Sequence, residues 1–116
     1  MAEITLYGIK NCDTVRKARR WLDDNSVAYI FHDVRSDGLD KKMLQAWEKQ
    51  LGWEQLLNRR GMTWRKLPVT LREDITKAGA IKVMIEHPAI IKRPVIAIGK
   101  QLHLGFSADS YHDIFT

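Results

Sequence analysis

Apolar residues cluster at positions 4–7 and then recur at Val15, Ala18, Trp21 and Leu22. The first pattern predicts a short strand and the second, with its three- and four-residue spacing, a helix over 14–25. Asp13 or Thr14 can cap that helix, and Asn25-Ser26 supplies the stop. A second strand is predicted over 27–34, with Tyr29, Phe31 and Asp33 on one face. Its pattern is imperfect, because Ala28, Ile30 and Val34 occupy the alternate positions. Two strands joined by a helix in one sheet require parallel pairing through a right-handed crossover.

The middle of the chain is helical in pattern. Met43, Leu44, Trp47 and Leu51 form one stripe over 40–51 that ends at Gly52. A shorter helix is expected over 53–58, followed by a break at Arg59-Arg60-Gly61. Thr70 or Glu73 starts another segment, and 80–86 carries Ile81, Val83, Met84 and Ile85 up to the stop at His87-Pro88. Residues 94–98 then read as a β-branched strand, Gly99-Lys100 as a tight turn, and 101–104 as the returning strand of a hairpin. Ser107 or Asp109 caps a last helix through Tyr111, Ile114 and Phe115. This order is that of an α/β, thioredoxin-like fold: a mixed four-stranded sheet with a helical insertion at about 40–87, forming one domain over 1–116.

Composition narrows the setting. At 116 residues the chain has the length of one ordinary domain with its own core. Its single cysteine cannot close an internal disulfide, which suits a reducing compartment. No cationic apolar leader precedes the first strand and no apolar run reaches membrane-spanning length. The expected location is cytoplasmic, with no membrane partner. A net charge of +5, from 19 basic and 14 acidic residues, suits an anionic ligand. Nucleic acid is disfavoured, because Trp21 and Trp47 lie on apolar stripes and read as core rather than as stacking platforms. His32, His87, His103 and His112 have no metal-ligand spacing, so no metal is expected. The seven glycines are scattered at turns and form no phosphate loop, and no internal repeat is present.

The residue that changes this picture is Cys12, between the first strand and the first helix. A lone cysteine is most often a small buried hydrophobe. Here Lys10, Asn11, Asp13, Thr14 and Arg16 surround it, which is not core company, and a helix start favours thiolate over thiol. A nucleophilic site is therefore expected. Arg59 and Arg60 after the middle helices, and Lys92-Arg93-Pro94 before the third strand, can converge on it. Arginine suits an oxyanion or carboxylate because its planar fork donates paired hydrogen bonds. As a solvated pair at a helix end, Arg59-Arg60 would need no ligand, whereas Arg93 has apolar flanks in Ile91 and Val95. Pro94 fits a strand edge, or a cis peptide after Arg93 that turns the backbone toward Cys12.

Three segments together resemble the ArsC arsenate-reductase family, and within it the YffB branch of the Spx/ArsC-like group. They are Tyr7-Gly8-Ile9-Lys10-Asn11-Cys12-Asp13-Thr14, Leu57-Asn58-Arg59-Arg60-Gly61 with Trp64-Arg65-Lys66-Leu67, and His87-Pro88-Ala89-Ile90-Ile91-Lys92-Arg93-Pro94-Val95. The resemblance covers nearly the whole chain. It implies that Cys12 is the catalytic redox nucleophile, Arg93 an anion-binding residue and Pro94 a cis-proline. Arg59 or Arg60 falls in a second arginine region, and Asn11 adjoins the thiol. Asn11, Arg59, Arg60, Arg93 and Pro94 are thus the candidate substrate- or glutathione-binding residues.

The resemblance also exposes two departures. Arsenate reductases carry a third arginine after the last strand, where this chain has Leu104-Gly105-Phe106; its loss costs a tetrahedral oxyanion a few kcal/mol, roughly, of charge-assisted anchoring. Spx-type regulators often carry a Cys-x-x-Cys pair, and Val15 stands in the second place. With no internal resolving thiol, an external one is required. Glutathione, an anionic tripeptide, is the co-substrate expected, with glutaredoxin as a possible partner and a small oxidised molecule as substrate; no bound cofactor is implied. The expectation is a glutathione-dependent monothiol thiol-disulfide reductase. The alternatives are arsenate reduction coupled to glutathione or glutaredoxin, and a non-catalytic Spx-like protein that binds RNA polymerase.

Overall fold

The computed structural model describes residues 3–116, so the first two residues of the expected 1–116 domain lie outside the described residues. The described chain forms two compact units, one made of the segments before residue 38 and from Arg93 onward, the other of Gly38–Lys92. The second is inserted between the second and third strands of the first.

In the first unit, β1 (Ile4–Gly8) leads to α1 (Asp13–Asp24) and β2 (Ile30–Asp33). After the insertion come β3 (Val95–Ile98), β4 (Gln101–Leu104) and a C-terminal helix, Ala108–Phe115, described below as α7. The four-stranded sheet has the order β2-β1-β3-β4. β1 and β2 are parallel, with Leu6 opposite Phe31. β3 runs antiparallel to β1, with Leu6 opposite Ile96, and β4 antiparallel to β3. The sheet is therefore mixed. Leu6 and Ile96 share a buried cluster with Val15, Ala18 and Leu22 of α1 and Tyr111 of α7, so both helices cover one face. Trp21 meets Tyr111 edge-on with ring centroids 5.6 Å apart, a contact worth about 1 kcal/mol beyond its area.

Two sequence expectations need correction here. Neither Asp13 nor Thr14 caps α1: Cys12 occupies the cap, and Asp13 sits in the first turn, paired to Arg16 at 2.7 Å. β2 is half the expected length. Ser26 adopts a left-handed φ of 56° and the Val27 N–H returns to the Leu22 carbonyl at 2.9 Å, so the chain is still leaving α1 at the positions expected to start the strand. Ile30, at this sheet edge, is 52% exposed. At the C-terminal helix the cap falls, as expected, on one of the two candidates, Ser107, in a reciprocal box with Ser110.

The second unit contains α2 (Lys41–Leu51), α3 (Trp53–Leu56), α4 (Met62–Lys66), α5 (Val69–Arg72), α6 (Lys77–Glu86) and a 3-10 turn, Pro88–Ile90. Asp40 caps α2 by accepting from the Met43 N–H at 2.7 Å, and Gly52 ends it with a φ of 82° that favours glycine. α3 stops short of the expected 53–58 because backbone pairing takes over: Asn58 donates to Ile90 O at 2.9 Å and Lys92 to Leu56 O at 2.8 Å. α4 is absent from the sequence reading, too short to show a period. α5 begins after Pro68 and has ended by Glu73, so Glu73 terminates that segment instead of starting it. α6 starts at Lys77, because Thr76 accepts from Gly79 N–H at 3.2 Å.

Candidate active site

β1 ends at Gly8 and the chain reaches Cys12 in four residues, of which Ile9 is buried and Lys10 and Asn11 are exposed. Cys12 has extended backbone angles, φ −126° and ψ 123°, and its carbonyl accepts the first intrahelical bond from Arg16 at 2.9 Å. The sulfur is partly buried, which by itself pushes its pKa up. Hydrogen bonding from the Val15 N–H, the Arg93 side chain and the Thr14 N–H, with the Arg93 charge, outweighs burial and holds the thiol below its ordinary range. The donors left unpaired by a helix start are thus satisfied when the sulfur ionises.

Arg93 reaches the thiol from the start of β3. The Arg93–Pro94 peptide bond is cis. Pro94 is buried, and its carbonyl accepts from Gly105 N–H at 2.8 Å. That bond ties the start of β3 to the turn after β4, where Gly105 has a φ of 84°. The next residue, Phe106, packs edge-on against Tyr111 with centroids 4.7 Å apart. The stretch Leu104-Gly105-Phe106, where the resemblance implies an anchoring arginine, thus contributes a partly buried aromatic packed on the core.

Asp33 went unnoticed as a site residue in the sequence. It is 5% exposed at the end of β2, and its carboxylate accepts from the backbone N–H groups of Lys10 at 3.1 Å, Arg35 at 2.8 Å and Ser36 at 3.2 Å. Burial pushes its pKa up, yet these bonds and the nearby Lys10 charge bring it below the usual carboxylate range. The Lys10 amide belongs to the loop that carries Cys12, so Asp33 is the brace of that loop. A usable signal was present: an aspartate followed by Arg35-Ser36-Asp37-Gly38 at a strand end is an Asx-turn pattern.

Cys12 and Arg93 thus come together in the first unit, with Pro94 following Arg93 and Asn11 preceding Cys12 in the chain, Asn11 exposed. Arg59 and Arg60 belong to the second unit. There the Arg59 guanidinium lies 5.7 Å from the Trp53 ring centroid and 5.6 Å from that of Trp64. Arg60 N–H donates to Asn58 Oδ1 at 3.1 Å. Both arginines line a depression of about 360 Å³ with Glu54, Leu57, Asn58 and Lys92. No group of His, Cys, Asp and Glu suited to holding a metal occurs among the described residues. No helix of the described residues is long and apolar enough to cross a membrane.

A thiol at a helix start met by an arginine that precedes a cis-proline, on a mixed sheet with an inserted helical unit, is a specific arrangement, and a model of the ArsC family matches residues 7–114 of the chain. The chain belongs to the ArsC family. This ArsC-family chain is 44% identical over 112 residues to an uncharacterized protein of Haemophilus influenzae, covering 97% of this chain and 98% of that protein. The solved structure of the protein YFFB superposes on it with a TM-score of 0.93 at 44% identity, over 97% of this chain and 99% of YFFB. An arsenate reductase (ArsC) related protein from Brucella melitensis is similar at 45% identity and a TM-score of 0.81, over 98% and 95% of the two chains. Spx, a global transcriptional regulator of Bacillus subtilis, is 28% identical over 110 residues, covering 91% of this chain and 82% of Spx. A glutaredoxin from Archaeoglobus fulgidus, 14% identical with a TM-score of 0.51 and covering 100% of this chain and 89% of that one, shares the fold. The ArsC domain is thus thioredoxin/glutaredoxin-like.

Proposed function

We propose that this chain is a glutathione-dependent monothiol thiol-disulfide reductase of the cytoplasm, with Cys12 as its nucleophile. The observation that carries the reading is a lowered-pKa thiol at the start of α1, beside Arg93, in a sequence with one cysteine. The Cys12 thiolate attacks one sulfur of a glutathione mixed disulfide. A Cys12–glutathione disulfide forms, and the substrate thiolate leaves. A free glutathione thiolate then attacks the glutathione sulfur, releasing glutathione disulfide and restoring the Cys12 thiolate; one reduced glutathione is consumed for each mixed disulfide reduced, the other half of the glutathione disulfide coming from the substrate. No bound cofactor takes part, and glutaredoxin can replace the free glutathione.

Arg93, with Asn11 and Pro94 beside the thiol, forms the part of the glutathione site that holds the reacting sulfur. Arsenate fits less well, because the stretch Leu104-Gly105-Phe106 offers no third arginine for a tetrahedral oxyanion.

The test treats the reduced protein, and its Cys12→Ser variant, with a glutathionylated peptide and excess glutathione, following peptide release and the intact protein mass. Catalytic release with a glutathione adduct on wild type alone is expected. Absence of both the adduct and turnover overturns the reading. Turnover of arsenate in place of the peptide assigns the chain to arsenate reduction. Capture of purified RNA polymerase equally by wild type and Cys12→Ser, without turnover, assigns it to the regulator class its Spx relatives represent.

A further inference from the structure

The second unit carries a groove that thiol chemistry does not use. Helices α2 and α6 pack against one another and leave two adjoining depressions of about 430 and 490 Å³, which share Gln45, Lys77 and Ile81. Ala78, Ile81 and Ile85 make the aliphatic part of the first, bordered by Lys41, Lys77 and Lys82. Lys42 and Lys49 border the second. Against these five lysines stand two glutamates, Glu48 and Glu86, and Glu48 already accepts from the Trp53 N–H at 3.4 Å. Among the described residues none of the five lysines forms an ion pair or a side-chain hydrogen bond.

This combination selects among occupants. A small inorganic anion has no use for the aliphatic strip, and a neutral apolar helix would bury itself beside five unmatched cations. A flat lipid surface is met by protruding apolar side chains, whereas Ile81 is recessed at 6% exposure. A helix with apolar residues at three- and four-residue spacing, flanked by Asp and Glu, satisfies both the strip and its cationic border. Lys42 and Lys49 are one heptad apart on α2, so they offer such a helix counter-charges about two turns apart. We propose that the α2–α6 groove docks an acidic amphipathic helix of a partner protein. This goes beyond the thiol reading and stands or falls separately from it.

The experiment titrates isotopically labelled full-length protein with a capped acidic amphipathic peptide about four helical turns long, followed by amide chemical shifts. A second peptide of the same composition with its leucines scrambled off one face is the control. Saturable shifts in α2 and α6 are expected, with a dissociation constant on the order of 100 μM or tighter. Lys77→Glu with Lys82→Glu, and separately Ile85→Asp, weaken it at least about tenfold, while Arg20→Glu on α1 leaves it unchanged. Spectral dispersion checks that each variant is folded, and Lys77→Gln with Lys82→Gln replaces any that is not. No saturable shifts, equal binding of the scrambled peptide, indifference to the lysine substitutions, or binding to phosphatidylglycerol vesicles in place of the peptide overturns the proposal.

Discussion

A Cβ atom on Gly8 would stand 2.7 Å from Cγ2 of Val15, so β1 and α1 approach at a distance that only glycine allows. Val15 is fully buried and stiff about χ1, and it cannot swing aside. Because these two residues bracket Cys12, their contact sets how far the thiol stands from the sheet. Gly8→Ala is expected to lower stability by about 1–3 kcal/mol through overpacking and to slow alkylation of Cys12 in the protein that remains folded. Urea denaturation and a thiol-labelling time course check the two effects.

Asp33 provides a pH prediction whose sign is fixed by its environment. Its folded-state pKa lies below that of the unfolded chain, so the unfolded chain binds the proton more readily as acid is added. The stability Asp33 contributes is complete above the ordinary carboxylate pKa of about 4 and is lost as pH falls through the lowered value. Asp33→Ala leaves the N–H groups of Lys10, Arg35 and Ser36 without their acceptor and is expected to cost about 1–3 kcal/mol at neutral pH. Asp33→Asn keeps an acceptor oxygen, costs less, and flattens stability between about pH 4 and the lowered value. Denaturant midpoints across that range decide it.

The Arg59 guanidinium shares two indoles, Trp53 and Trp64. Arg59→Lys keeps the charge and removes the planar group that stacks, with an expected loss of about 0.5–1 kcal/mol and a change in tryptophan emission. Arg60→Lys, whose tie is through its backbone N–H, is expected to leave both unchanged. Chemical denaturation followed by tryptophan fluorescence separates them.

Much of this architecture was legible in the chain because its signals are local and periodic. The α1 stripe of Val15, Ala18 and Leu22, the Gly99-Lys100 hairpin and the Ser107 cap depend on neighbours within a few residues, and each appears as read. What escaped depends on partners distant in sequence. α3 ends early because Ile90, more than thirty residues on, takes the Asn58 N–H. Asp33 read as a strand residue because its bond to Lys10 crosses from β2 to the loop after β1. Cys12 was legible as a reactive thiol from its polar company. That it is itself the helix cap was not, because Asp13 and Thr14 are better capping residues and cap preference alone favours them.

The reactivity of Cys12 rests on its ionisation, and a direct titration tests it. Thiolate absorbance or alkylation rate against pH is expected to give a midpoint below the roughly 8.5 of a free cysteine, and Arg93→Ala is expected to raise that midpoint. The sign for stability follows: ionised Cys12 stabilises the fold above the ordinary thiol pKa, and that contribution is lost as pH falls through the lowered one. A midpoint at or above 8.5, roughly, or one that Arg93→Ala leaves in place, would contradict the claim that the α1 start and Arg93 hold Cys12 as a nucleophile.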